Sequence, residues 1–336
     1  MANIFVGSPR FESTTMGTGK NSVLLELYID NVLRYSIIKN ATQGTVVTFE
    51  ISELVRDYIN IVFTGTYVPQ TVFLGGTRFK QYTGQNGTGN ASVFTLPSVT
   101  ALNGYGTFME GVNPEYNQNV NQWLISKDPI KNGYYIYVPE GQSGVVPASG
   151  GYTGNNFAYE AYGSNDTSIS PFGTTLNIVR INCSRYTRDF SNSRDPKITF
   201  VNKYGFLQDL FFFLKSVKTI TSTKETFNSN TINTSSGSAT YSVTAPTKTV
   251  FNKSANQKIV LNSGYYPEGA NDFFEQLLLS KQIWLTQPKP SSLANAEIVP
   301  VIISTSSMTY KTSLNEKLIE YTMEFDMAFD YINNVR

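Results

Sequence analysis

ITFVNKYGFLQDLFFFLKS occupies residues 198–216, and its reading decides the fold. Six aromatics fall within it: Phe200, Tyr204, Phe206, Phe211, Phe212 and Phe213. The stretch is too short and too interrupted to cross a bilayer as a helix, which takes about 20 apolar residues. It is too apolar for an ordinary surface loop. Ile198 and Phe200 lie on the opposite side from Thr199 and Val201, the period of a strand. Tyr204-Gly205 breaks that strand, and the segment from Phe206 to Phe213 re-enters the sheet. Three consecutive Phe residues cannot alternate between core and water. They imply a strand covered on both faces, by its own core on one side and by a helix or another subunit on the other. Within the run, Phe212 is the expected subunit-contact residue.

Upstream, SVLLELYIDNVLRYSIIKN (22–40) reads as a hairpin turning at Asp30-Asn31, two residues that tolerate the left-handed conformation. TVVTFEI (45–51) is a further strand. Ser52 is placed to cap a short helix, ELVRDYI, that presents Leu54, Val55, Tyr58 and Ile59 on one face. More strands follow through TVFLGGTRFKQY. Residues 83–175 then change character and are dominated by Gly, Asn, Ser, Tyr and Pro, with a strand at YYIYVPEG (134–141). The segment 140–172 reads as a long exposed loop. It is either a linker or a loop that orders on a neighbour. Its Tyr152, Phe157, Tyr159 and Tyr162 favour the second reading and are the remaining contact candidates.

Downstream, TLNIVRINCSRYT (175–187) alternates as a strand. Residues 228–249 are low in charge and bulk, either a long hairpin arm or a flexible loop. ANQKIVLNSGYY (255–266) is a strand. PEGANDFFEQLLLSKQIWL (267–285) holds a helix near 271–280, capped by Asn271 or Asp272. Its buried face is formed by Phe273, Phe274, Leu277 and Leu278, and a strand follows it. Residues 299–313 and 317–334 close the chain as strands. The alternation of Ile319, Tyr321, Met323 and Phe325 with Glu320, Thr322, Glu324 and Asp326 favours a strand over the rival 18-residue helix. The expectation is a mainly β protein with a few short helices and two β-sandwich-like domains. These are residues 1–175, with the loop region 83–175, and residues 176–336, a sandwich with one packed helix.

Composition narrows the function. Lys and Arg number 26 against 25 Asp and Glu, and charged residues make up 15% of the chain. The overall balance suggests no nucleic-acid footprint, leaving room only for a local basic patch, and so little like-charge repulsion suits permanent association or an adhesive sugar-binding surface. No signal peptide and no membrane anchor are read, so the Asn-x-Ser/Thr sequons at Asn40, Asn86, Asn90, Asn165, Asn182, Asn233 and Asn252 are taken as a by-product of composition. The chain has no histidine, which removes Ser-His-Asp and Cys-His mechanisms and histidine zinc sites. Cys183, the only cysteine, sits in an alternating stretch and reads as a small buried hydrophobe. TTMGTGKN (14–21) imitates a phosphate loop, but Thr14 stands where the first glycine belongs and Asn21 where the metal-binding hydroxyl belongs. It reads as a flexible loop. Glu110, Glu115, Asp128, Glu140, Glu160 and Asp166 could supply a carboxylate pair for sugar hydrolysis, but solvated loop acids are the better reading. No catalytic, metal or cofactor residue is assigned.

FEISELVRDY (49–58), NCSRYTRDF (182–190), ITFVNKYGFLQDLFFF (198–213), KIVLNSGYYPEGANDFFEQLLLSKQIWL (258–285) and YKTSLNEKLIEYTMEFDMAFD (310–330) together resemble tail proteins of phages infecting Bacteroidetes. These include the short-tailed, crAss-like phages. The likeness spans most of the chain outside 83–175. It implies a virion component, a hub or ring subunit, whose C-terminal half is similar to the tail-tube fold. The implied partners are other copies of the chain in a ring and adjacent tail or portal-proximal proteins, with DNA passing through without sequence-specific binding. The implied location is the virion, after synthesis in the host cytoplasm. The rival expectation is a tail-tip adhesin that stacks sugars on the aromatics of 140–172.

Overall fold

The structure is a computed structural model. It describes residues 3–68, 70–116, 127–128, 133–139, 144–149, 157–162, 168–169, 176–181, 196–234, 237–289, 292–310 and 318–332. It is mainly β, with several sheets and two short α-helices among the described residues.

The N-terminal unit contains β1 (Asn3–Phe5), β2 (Phe11–Thr15), β3 (Ser22–Ile29), β4 (Val32–Asn40), β5 (Val46–Glu50), α1 (Ser52–Arg56), β6 (Thr71–Leu74), β7 (Arg78–Tyr82), β8 (Ala91–Thr95), β9 (Val99–Leu102) and β10 (Glu115–Tyr116). One sheet runs β4-β3-β7-β8, another runs β10-β1-β9-β6, and β2 pairs with β5. Their inner faces bury Leu25, Leu27, Ile29, Phe49, Val72 and Ala101 in one core. The β3–β4 hairpin turns where the alternation placed it, with φ of 50° at Asp30 and 63° at Asn31. Asp30 also locks the second sheet to the first, because its carboxylate accepts the Phe73 amide at 2.9 Å.

Three expectations change here. The helix α1 ends at Arg56, and Tyr58, expected on its buried face, is exposed. Ser52 does not cap α1; it is the first helical residue, and its hydroxyl donates to the Glu50 carboxylate instead. Ile51 holds the cap position, so the Ser52 hydroxyl stands one residue too late to accept the first-turn amides. Residues 83–175 are not all loop either. β9 is a central strand, parallel to β1 and antiparallel to β6, with Ala101 and Leu102 fully buried.

Further on are β11 (Lys127–Asp128), β12 (Gly133–Pro139), β13 (Gly144–Ser149), β14 (Phe157–Tyr162), β15 (Ser168–Ile169) and β16 (Leu176–Ile181). β12 and β16 run parallel, while β13 and β14 form an antiparallel hairpin. The long loop expected over 140–172 therefore holds a hairpin.

The C-terminal unit contains β17 (Lys197–Val201), β18 (Leu207–Phe211), β19 (Val217–Asn228), β20 (Ile232–Asn233), β21 (Thr240–Tyr241), β22 (Lys248–Asn262), β23 (Tyr266–Pro267), α2 (Asn271–Leu279), β24 (Ile283–Lys289), β25 (Ser292–Ile303), β26 (Leu318–Ile319) and β27 (Thr322–Met327). Instead of two stacked sheets, it builds one seven-stranded antiparallel sheet in the order β18-β17-β24-β25-β27-β22-β19. One face carries Ile198, Phe200, Leu285, Val301, Leu261 and Phe325, and α2 covers that face with Phe273, Phe274 and Leu277. α2 has no side-chain cap; Asn271, expected as one, instead accepts the buried Tyr321 hydroxyl at 2.6 Å. Within the segment expected as strand over 317–334, the described residues form two strands, β26 and β27, which end at Met327, and the buried residues are those the alternation selected, with Met327 added.

The opposite sheet face divides in two. Near β17 and β24, the N-terminal core covers it: Val201, Leu207, Trp284 and Ile298 all pack into that cluster. Phe63 reaches Trp284 with ring centroids 5.8 Å apart. Residues 198–216 therefore form the seam between two cores. β18 is buried at all five positions, as a strand covered on both faces requires, but of the three consecutive Phe residues only Phe211 belongs to it; Phe212 and Phe213 are buried just beyond its end. The second cover is the N-terminal unit of the same chain, so no second subunit is needed there.

Candidate functional site

Phe212 corrects the sequence reading most directly. Its side chain is 0% exposed, set edge-on between Phe274 at 6.2 Å and Phe325 at 6.1 Å. A ring buried inside its own chain has no surface left for a neighbour, so Phe212 is a core residue. Tyr152 lies outside the described residues. Phe157, Tyr159 and Tyr162 fall in β14, whose backbone pairs with β13, and their side chains lie outside the described residues.

Next to the seam the chain builds a fully satisfied buried node. The Asp209 carboxylate accepts the Tyr67 hydroxyl at 2.7 Å, the Thr199 hydroxyl at 2.7 Å and the Val145 amide at 2.9 Å. Lys197 lies 3.2 Å away and donates to the Tyr67 oxygen at 2.9 Å. Tyr67, Val145 and the neighbouring strand β17 converge on this one anion of β18. Every group has a partner, so the node reads as a fastening and not as a reacting centre.

The surface that lacks cover is at the other end of the sheet. β19 and β22 pair over their whole length, but β22 meets β27 only between Lys258 and Asn262. Beyond that the two strands continue as a free ribbon of roughly 30 Å, with the small β20–β21 ladder in its tip. All twelve residues of β19 are exposed. None of the described residues from Ile220 to Ser254 is buried. This 35-residue arm exposes Ile220, Phe227, Ile232, Tyr241, Val243, Val250 and Phe251, against only four charged residues, Lys224, Glu225, Lys248 and Lys253. Phe227 and Phe251 contact each other 6.1 Å apart, beside the bulge that twists the ribbon. Of the two sequence readings for 228–249, hairpin arm is the correct one.

A second exposed feature stands where three backbone segments stack. Gly104 touches its neighbours so closely that a Cβ there would lie 2.8 Å from the Lys203 carbonyl oxygen. A Cβ on Gly205, which has a φ of +85°, would lie 2.8 Å from the Gly104 nitrogen. Asn202 holds the 202–206 turn, its side-chain oxygen accepting the Tyr204 and Phe206 amides at 3.0 Å each. Beside this stack opens a cleft of about 330 Å³, lined in part by Ser8, Tyr105, Gly106, Val201, Leu279 and Lys281. Burial, with the Glu275 and Glu110 carboxylates nearby, pushes the Tyr105 phenol up to about 12.

From the cleft rim rises a knuckle, residues 107–113. Thr107 and Glu110 form a reciprocal capping box, and Lys203 bonds Glu110 at 2.6 Å. Burial pushes the Glu110 carboxyl up, but the Lys203 ammonium and the Thr107 donors outweigh it and hold Glu110 below its ordinary value. Asn113 fastens the other end, bonding both the amide and the carbonyl of Phe11 at 2.7 and 3.0 Å. At the top of this braced loop Phe108 is 98% exposed and Met109 90%. Lone exposed apolar residues are ordinary, but two adjacent ones on a rigid loop form an anchor-like feature.

The carboxylates considered for sugar hydrolysis are not brought together. Glu110 pairs with Lys203, and Glu115 with Arg10 at 2.7 Å. Glu140 and Asp166 lie outside the described residues, as do the side chains of Asp128 and Glu160. Cys183 lies outside them too. Gly17 of the phosphate-loop imitation donates its amide to the Gln81 side chain at 2.8 Å, which turns the loop onto β7. Among the described residues no group of three acidic or cysteine side chains could hold a metal, and no helix is long and apolar enough to cross a membrane. Sequence reasoning missed the knuckle, because TFMEGVN carries no periodicity; the Thr-x-x-Glu capping spacing was its one legible signal. Searches for relatives place no identity on these surfaces: no family model matches the chain, and no curated protein matches it.

Proposed function

We propose that the chain is a structural subunit that assembles in many copies, and that it serves as a hub or ring subunit of a phage tail of the kind its sequence resembles. The single observation that carries assembly is the β19–β22 arm. A two-stranded ribbon is marginal in water by itself, and this one presents seven large apolar side chains with almost no charge to keep it solvated. Its 35 residues exceed the 20–30 that one partner contributes to a typical stable interface. Laid on a neighbouring copy, the arm gains a core that its own chain does not provide.

The tail placement rests on the sequence resemblance. The helix packed on the C-terminal sheet agrees with the tail-tube likeness that the resemblance implies, whereas the single seven-stranded sheet departs from its sandwich. The chain's role is to hold adjacent tail or portal-proximal proteins in place while DNA passes, and it performs no chemistry. The test is sedimentation and electron microscopy of the purified full chain. Closed multi-copy particles are expected, and Phe227→Ser with Phe251→Ser should disperse them. A monomer at every concentration, together with its absence from purified virions of a phage encoding it, would sink the reading.

A further inference from the structure

We propose that the 107–113 knuckle of one copy seats in the cleft of a second copy, and that the two copies do this reciprocally about a two-fold axis. The inference rests on the self-assembly reading but uses a surface separate from the arm. Phe108 and Met109 stand almost wholly in solvent on a loop fastened at both ends. Such a loop loses little conformational freedom on docking, so its apolar area converts efficiently into affinity. The cleft of about 330 Å³ has room for a phenyl ring beside a thioether, and Val201, Leu279 and the Tyr105 ring give it apolar walls.

Charge supports the same seat. Glu110, at the base of the knuckle, keeps 44% of its side chain exposed despite its bond to Lys203. Lys281, on the cleft rim, is exposed and forms no ion pair among the described residues. Seating the knuckle brings Glu110 of one copy beside Lys281 of the other.

The two-fold follows from adjacency. Gly106 lines the cleft and Thr107 opens the knuckle, so plug and socket stand side by side. An axis passing between them matches plug to socket twice in one isologous interface. A head-to-tail contact would use each feature with a different neighbour, on what is nearly one patch of surface.

The test is sedimentation equilibrium of the full chain, with native mass spectrometry of mixtures. One variant removes the plug (Phe108→Ser with Met109→Ser), and the other fills the socket (Leu279→Trp). All of these positions are solvent-facing, so thermal unfolding should match the parent. Each variant alone is expected to weaken the two-fold contact about tenfold or more. Mixed one to one, they should form heterodimers in preference to either homodimer, because one intact plug then meets one intact socket. If the parent chain assembles and both variants assemble equally well, this inference is overturned and the arm reading stands. If the parent is monomeric throughout, the self-assembly reading fails and this inference fails with it.

Discussion

The seven-stranded sheet begins and ends with hairpins of opposite character. At one end, β17–β18 is buried at nearly every position, clasped between α2 and the N-terminal core. At the other, β19 is exposed at every position and its ribbon runs past the last strand that supports it. The two belong to one sheet and are separated by only the five residues between Phe211 and Val217. The difference shows that strand formation is local, whereas burial depends on what lies across the face. The first hairpin finds its cover within its own chain. The second carries comparable apolar side chains and finds none there.

Substitutions should separate the two ends, and the largest effect belongs to the buried one. Phe212→Ala removes a ring packed on Phe274 and Phe325 and is expected to cost about 3–5 kcal/mol, measured by urea unfolding. A loss below about 1 kcal/mol would mean that this end is not the keystone of the core. Asp209→Ala comes next, at about 3 kcal/mol. It leaves Lys197 partly buried without its anion, though the 18% exposure of that lysine lets water soften the loss.

A smaller effect is expected at high pH beside the cleft. The Tyr105 phenol is raised from 10.0 to about 12. Its contribution is therefore complete below pH 10 and is lost as pH climbs through about 12. Compared with Tyr105→Phe, the parent should lose stability over that window, and an identical pH profile for the two would contradict the burial of this phenol. Smallest of all in stability are changes on the arm. Val243→Ser should shift unfolding by no more than about 0.5 kcal/mol yet reduce assembly seen by sedimentation. An unfolding loss as large as that of Phe212→Ala would erase the contrast between the hairpins.

Much of this architecture was legible in the sequence. The β3–β4 hairpin announced itself through Asp30-Asn31, α2 through its Phe and Leu spacing, and β27 through strict alternation. In each case local chemistry and tertiary burial agree. β9 was hidden because VTAL is four residues long and is followed by Asn and Gly, so no period could establish itself. Phe212 was misplaced for a different reason. Sequence shows that a residue is covered but not by what, and here the cover is α2 and β27 of the same chain. The arm stayed ambiguous because low charge and small residues suit both a ribbon and a loop. The knuckle left only its Thr-x-x-Glu spacing in the sequence, because its importance lies in exposure, which has no periodic pattern.

The arm's shortage of charge also writes a protease map. Between Lys224 and Lys248 there is no lysine or arginine, so trypsin has no bond to cut across the whole tip. Phe227 and Tyr241 sit exposed in the same stretch and offer themselves to chymotrypsin. Digested as a free subunit, the chain should be nicked by chymotrypsin in its tip while trypsin leaves that tip as one fragment. Once neighbours cover the arm, the chymotrypsin sites close, and the cleavage pattern alone reports how much of the protein is assembled.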